Sequence, residues 1–491
     1  MTISFNSIPA NLRVPFVAVE IDNSRAQQGP ALLPYRVLLI GQKTSGGSAA
    51  ANSLHRVTSA DQVIALAGRG SMLHRMAMAY FRNNRFTETW IGVLEDSGAG
   101  TAASGSLTFG GSVTAAGTLN LYLGGTLVQV PVAASEASTD TAQNVKDAIN
   151  AVADLPVTAA VDGEDTKKVN ITFRHKGTVG NDFDIRLNYQ DGEALPAGLS
   201  VTIAPMGDGA TNPSLSSLLS ALGDSWFHVW AFPYTDSTSL TAIENELSSR
   251  FGPTRMIDAV AFTASNESHA NLGSLGDSRN SPHVCIVATN QSPTPPMEYA
   301  AAVAAVAAFY GNADPARPFQ TLPLVGVLPP AEADQFTLEE RNLLLYDGIS
   351  TTRVAAGGVV QIERLITTYK TNAAGAADTS YLDVTTMLTL LYLRYSFRNR
   401  ILTRYPRHKL ANDGTRFGAG QAVITPKLGK AEAIAWFREM EELGLVENFE
   451  QFKTDLVVER NISDPNRLDF LLPPDVINQF IVGAAQIQFR L

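Results

Sequence analysis

Residues 283–310 read HVCIVATNQSPTPPMEYAAAVAAVAAFY. The opening run, His283–Thr289, is apolar almost throughout and is bounded by Pro282 and a proline-rich turn, which predicts a strand buried on both faces. Pro295-Pro296 then opens a helix, because proline is tolerated in the first turn, where its missing N–H would have no helical acceptor. From Tyr299 to Tyr310 the helix is mostly alanine. That is too short to cross a bilayer, which needs about 20 apolar residues, and its small side chains suit close packing against a sheet. Nowhere does the sequence hold an apolar run long enough to span a membrane, so no membrane insertion is expected.

Reading upstream, the pattern repeats. Phe227–Phe232 is an apolar, aromatic strand, Ser239–Arg250 is helical and Asp258–Thr263 is a further strand. Strand, helix, strand in succession predicts parallel strands with helices on their faces, an α/β domain over 206–345 that exits through the prolines of 315–330. Earlier still, Arg13–Asp22 alternates, with Val17, Val19 and Ile21 on one side, and residues 1–22 read as an N-terminal arm. Tyr35–Gly41 is a buried strand, helices follow over Asp61–Ala67 and Ser71–Asn83, and Trp90–Leu94 is another strand, giving a core part over 23–96. The loop IGQKTSGGS at 40–48 lacks a phosphate-loop lysine, since Gly47 occupies that position.

Ser97–Ser106 is a small-residue linker that opens a β-rich inserted domain over 97–205. Its strands are expected around 107–109, 119–123, 127–132, 157–161, 169–174, 183–189 and 199–203. Gly124-Gly125 turns a hairpin, and a helix lies over Thr141–Val152.

The last third, 346–477, is a mixed domain centred on residues 381–427, YLDVTTMLTLLYLRYSFRNRILTRYPRHKLANDGTRFGAGQAVITPK. Val384, Leu388, Leu391, Tyr395 and Leu402 recur at helical spacing, with Met387, Leu390, Phe397 and Ile401 as a second stripe, and Pro406 ends the helix. Arg394, Arg398, Arg400, Arg404, Arg407 and Lys409 crowd its end without an acidic neighbour. The bland explanation is a solvated helix terminus whose cations complement the dipole; the sharper one is a docking surface for an acidic partner. A second helix, Lys430–Leu443, turns Ile434, Phe437 and Met440 inward and Glu432, Glu439, Glu441 and Glu442 outward. Leu456–Ile462 is a strand. Ile487, Phe489 and Leu491 alternate with polar residues in a C-terminal arm, 478–491. Terminal strands without a hairpin partner pair at a distance, in their own domain or in another molecule. The fold class is α/β plus α+β and multidomain: a parallel-strand α/β middle domain, a β-rich inserted outer domain and a mixed C-terminal domain with terminal strand-donating arms.

With 45% hydrophobic but only 17% charged residues, the surface must be covered by small polar residues or buried against other subunits. Residues 97–345 carry a net charge of −14 and the two ends about +4, so the chain lacks the accumulated positive footprint that wrapping nucleic acid requires, and no direct nucleic-acid partner is expected. One cysteine, Cys285, lies inside a buried strand and excludes an intramolecular disulfide framework. The seven histidines never fall at metal-ligand spacing, and Gly223-Asp224-Ser225 and Gly276-Asp277-Ser278 read as turns rather than nucleophile loops. No catalytic residue, cofactor or metal is expected.

Four stretches carry a resemblance: SFNSIPANLRVPFVAVEIDNSRA near the start, HKGTVGNDFDIRLNY at 175–189, the block from LYLRYSFRNRI to AVITPK, and LPPDVINQFIVGAAQIQF near the end. The chain resembles the tail sheath proteins of contractile-tailed bacteriophages, of the Mu-like type, over essentially its full length. The resemblance implies a structural protein of the virion tail, assembled in the host cytoplasm as stacked hexameric rings around a tail tube. It also implies partners in the tube protein, the baseplate and the tail terminator, and contraction that drives the tube through the host envelope. Its arms would then be strands lent to neighbouring subunits, carried by Val17, Val19, Ile21, Ile487, Phe489 and Leu491, and the basic helix end a tube or neighbour contact. A tailocin or another contractile injection system would share these motifs.

Overall fold

A computed structural model describes residues 33–490. Its larger unit comprises Pro34–Leu393, Gly444–Glu447 and the chain from Asp475; Arg394–Leu443 and Asn448–Pro474 form a smaller one. The N-terminal arm, with Val17, Val19 and Ile21, lies outside the described residues, as does Leu491.

The larger unit is built on an eight-stranded sheet. Its order is Val359–Arg364, Ile349–Ala355, Val284–Ala288, Val260–Ser265, Val229–Ala231, Arg36–Gln42, Glu88–Leu94 and Leu54–Val57. The six inner strands are parallel and the two edge strands antiparallel. Burial on both faces explains why Val37–Ile40, Val229–Ala231 and Val284–Ala288 read as unbroken apolar runs. The expected α/β domain is therefore wider than 206–345: Arg36–Gln42 pairs with Val229–Ala231, so the 23–96 segment and the middle segment share one sheet, and 349–364 extends it. The alanine helix, Pro296–Ala313, packs on the strands Val260–Ser265 and Val229–Ala231 and on the helix Met72–Asn83, buried along almost its whole length.

The insertion holds a four-stranded antiparallel sheet, ordered Leu199–Gly207, Ala102–Gly111, Lys168–Lys176, Val157–Val161, and a three-stranded one, Thr126–Val132, Gly117–Leu123, Ile185–Leu187. The helix Ser138–Ala151 packs against the strands of the first sheet and against Thr126–Val132. Two expectations are corrected. The small-residue linker enters a strand at Ala102, its Ser and Gly side chains allowing close strand approach, and the strand expected over 183–189 is shortened to Ile185–Leu187 behind a 3-10 turn at Thr178–Asp182. Gly124 and Gly125 do turn the hairpin, both at positive φ, the conformation a two-residue hairpin loop demands.

Two buried polar contacts fix the insertion to the sheet. At the first, the Met72 N–H donates to His175 Nε2 at 2.9 Å, so that nitrogen must be unprotonated and Nδ1 carries the proton toward Asp96 Oδ1, 3.0 Å away. Gln42, fully buried, donates to Asp96 Oδ1 and to the Lys176 carbonyl, both at 2.8 Å, and accepts from the Tyr234 hydroxyl at 3.2 Å. Burial pushes the Asp96 carboxyl up, but hydrogen bonds from His175, the Lys176 N–H and Gln42 outweigh it and hold the group below its ordinary value. At the second, Arg75 pairs with Glu298 at 2.7 Å, both side chains less than a tenth exposed, and reaches Thr126 of the hairpin at 3.4 Å. The Tyr189 hydroxyl donates to the Pro329 carbonyl at 2.8 Å.

His175→Ala leaves a buried N–H and a carboxylate without their partner and should cost about 1–3 kcal/mol in denaturant unfolding. Because the folded Asp96 pKa is depressed, its contribution is complete above the ordinary carboxylate range and is lost as pH falls through the folded value. The stability gap between wild type and Asp96→Asn should accordingly close as pH drops from about 6 to 3, read from urea midpoints.

Candidate assembly surfaces

A few contacts root the C-terminal segment. Asp475–Val476 pairs antiparallel with Val446–Glu447, and the Ile477 N–H donates to the Leu445 carbonyl at 3.1 Å. Gln479 Nε2 donates to Thr385 Oγ1 and Gln320 Nε2 to the Phe480 carbonyl at 3.4 Å. These residues root the tail beside a cleft of about 490 Å³, where Arg364 is held by Asp383 at 3.0 Å. Beyond Phe480 no described residue enters a strand or helix. Phe480, Val482, Ile487 and Phe489 are exposed by 77%, 80%, 90% and 79%. The apolar alternation expected of a C-terminal strand is present, and among the described residues 477–490 join no strand of the sheets.

In the smaller unit, Arg394–Arg404 packs on the helix Pro426–Glu442. The Trp436 indole N–H donates to Ser396 Oγ at 2.9 Å, the rings of Phe397 and Trp436 meet edge-on at 5.2 Å, and Phe437 stacks on Phe452 at 4.1 Å. The antiparallel hairpin Val457–Arg460 with Leu468–Leu471 closes the core by placing Phe470 against Phe397.

This packing divides the six cations expected to dock. Arg400 is buried, its guanidinium bridging Glu432 and Glu439, each at 2.7 Å, and Arg404 reaches Glu432 at 3.2 Å. Glu432, expected to face outward, instead accepts from both arginines and from the Tyr405 hydroxyl. Burial pushes its carboxyl up, but those donors and charges outweigh it and hold it below its ordinary value. Arg398, Arg404, Arg407 and Lys409 are exposed and Arg394 half-buried, with Phe417 half exposed on the loop that follows. Glu432 and Glu439, seven residues apart on one helix face, were the signal in the sequence for an internal partner of Arg400.

Other candidate chemistry resolves into structure. Cys285 is fully buried, its Sγ 3.1 Å from Ser350 Oγ, and burial pushes the thiol up to about 12. Gly223 and Gly276 stand at the ends of helices, as turns do. Among the described residues no group of three or more His, Cys, Asp or Glu could hold a metal ion, and no helix is long and apolar enough to cross a membrane.

Arg400→Ala strands two carboxylates in a partly buried site and should cost about 3 kcal/mol or more. Arg407→Ala, on the surface, should stay within about 0.5 kcal/mol of wild type in the same chemical denaturation series.

Residues 208–368 match the phage tail sheath protein central domain, and residues 376–490 the phage tail sheath C-terminal domain. Over 491 residues, the whole of both chains, the sequence is 42% identical to the Mu-like prophage FluMu tail sheath protein of Haemophilus influenzae. Among solved structures it is similar to the sheath tail protein of Desulfitobacterium hafniense, at 13% identity and a TM-score of 0.47 over 94% of this chain and 100% of that one. It is also similar to the sheath tail protein of Listeria innocua, at 12% identity and a TM-score of 0.49 over 92% and 94%. Identity sustained from end to end with a Mu-like tail sheath protein, together with matches to both sheath domains, makes this chain a member of the phage tail sheath protein family.

Proposed function

We propose that the protein works by assembly and not by turnover, as the structural subunit of a contractile tail sheath. Copies polymerise as stacked hexameric rings in a helical array around the tail tube, are capped by the tail terminator and held by the baseplate, and contract to drive the tube through the host envelope for genome delivery. The protein resides in the virion tail after assembly in the host cytoplasm. One observation carries the reading: a tail rich in exposed apolar residues leaves the body at Phe480 and, among the described residues, joins no strand or helix. Strand addition to a neighbour would pair that backbone and cover Ile487 and Phe489 together.

The N-terminal arm, through Val17, Val19 and Ile21, makes the reciprocal connection, and Leu491 joins Ile487 and Phe489 in the C-terminal arm. Main-chain ladders of this kind tolerate rotation of rigid bodies while keeping the mesh connected. Contraction draws on interfaces that improve after triggering, so the extended form is a kinetically held state. Of the basic helix end, the exposed Arg398, Arg404, Arg407 and Lys409, with half-buried Arg394, would meet the tube or a neighbouring subunit. Arg400 contributes by holding the helix pair.

Deletion of residues 1–22, or of 478–491, should leave a folded monomer, shown by an unchanged circular dichroism spectrum, that forms no tubes in electron micrographs. Normal tubes from both truncations would refute the proposal.

A further inference from the structure

We infer that two surfaces on opposite faces of the central sheet meet head-to-tail between copies of this chain, an inference that rests on the self-assembly proposed above. The first surface is aromatic and cationic. Phe86, ahead of the strand Glu88–Leu94, is 86% exposed, and its ring lies 5.8 Å from that of Phe309, which meets Tyr310 edge-on at 5.1 Å. Exposed Val325 is held alongside by Asn83, which accepts its N–H at 2.8 Å and donates to its carbonyl at 3.0 Å. Arg82 and Arg85 flank these groups, exposed and without an ion-pair partner among the described residues.

The second surface is apolar and anionic. The helix Leu338–Tyr346, started by a reciprocal Thr337–Glu340 cap, buries Leu344 but leaves Leu338, Leu343 and Tyr346 exposed by 68%, 53% and 75%. At helical spacing Leu338, Asn342 and Tyr346 form one outward row, with Glu339 and Leu343 next to it. Exposed Glu332, Asp334 and Glu339 give it a negative rim.

Sheet topology separates the two. From Arg36–Gln42 the chain crosses to Glu88–Leu94 in one direction, and from Val229–Ala231 it proceeds through Val260–Ser265 to Val284–Ala288 in the other. Right-handed crossovers therefore place Met72–Asn83 on one face and Ser237–Phe251 and His269–Asp277 on the opposite one. The alanine helix packs with Met72–Asn83, whereas Leu338–Tyr346 packs with His269–Asp277. A subunit cannot close the pair on itself. Two copies can, and a contact between unlike surfaces propagates into rings or filaments. Opposite charge around apolar centres gives that contact its orientation.

The test uses full-length protein carrying Arg82→Glu with Arg85→Glu, Glu332→Lys with Glu339→Lys, or all four changes, with polymerisation followed by sedimentation and electron microscopy. Each reversal alone should raise the threshold concentration for assembly by about tenfold, a coupling of roughly 1.4 kcal/mol, and the combined variant should recover toward wild type because complementarity is restored. All four positions are exposed, so thermal melting should be unchanged. Wild-type thresholds for both single reversals, or no recovery in the combined variant, would overturn the contact while leaving self-assembly intact. Wild-type protein that fails to assemble even with tube and baseplate present would overturn both.

Discussion

The strand Arg36–Gln42 is the joint on which the larger unit depends. It hydrogen-bonds Glu88–Leu94 on one side and Val229–Ala231 on the other, in register over buried apolar side chains, although the second partner lies some 190 residues away. Once that ladder forms, the chain must leave the sheet after Leu94 and return before Val229, and everything between becomes an excursion with fixed ends. Gln42, the last residue of the joint, is also the hub of the polar contact that ties Asp96, Lys176 and Tyr234 together. A single strand thus couples the hydrophobic sheet to the attachment of the outer insertion.

The same accounting of backbone hydrogen bonds gives meaning to the chain end. One sheet edge is consumed internally: Thr321 and Leu324 donate to Ile362 and Val360, and the Ile362 N–H returns to Leu322. An edge so covered is unavailable to strangers. The tail beyond Phe480 is the opposite case: among the described residues it joins no strand or helix, and Val482, Ile487 and Phe489 are exposed. That contrast between a covered edge and an exposed tail is what the proposed strand exchange between copies rests on.

Much of this was legible in the sequence, and the failures have physical causes. The hairpin at Gly124-Gly125 announces itself by the alternation of Thr126–Val132 after a turn that glycine adopts easily. The alanine helix was readable because a helix apolar all round has nowhere to go but inside. Leu54–Val57 escaped, being four residues with a histidine and an arginine among them and stabilised only as an antiparallel edge. Leu338–Tyr346 was missed because its outward face is apolar, which blurs the periodicity, though its Thr337–Glu340 capping box stood in plain view. At the assembly surfaces the charge of the basic helix end was visible, but the diversion of Arg400 to Glu432 and Glu439 depends on two helices meeting, a distance that composition cannot report.

The central claim is that the unpaired C-terminal tail finds its ladder in another copy. It is tested most directly by an electron cryomicroscopy reconstruction of the polymerised full-length protein in which residues 480–490 are traced. The account predicts density for these residues running as an added strand along a sheet of a neighbouring subunit, with Ile487 and Phe489 buried there. A tail folded back on its own subunit, or left in solvent within a well-ordered tube, would contradict it.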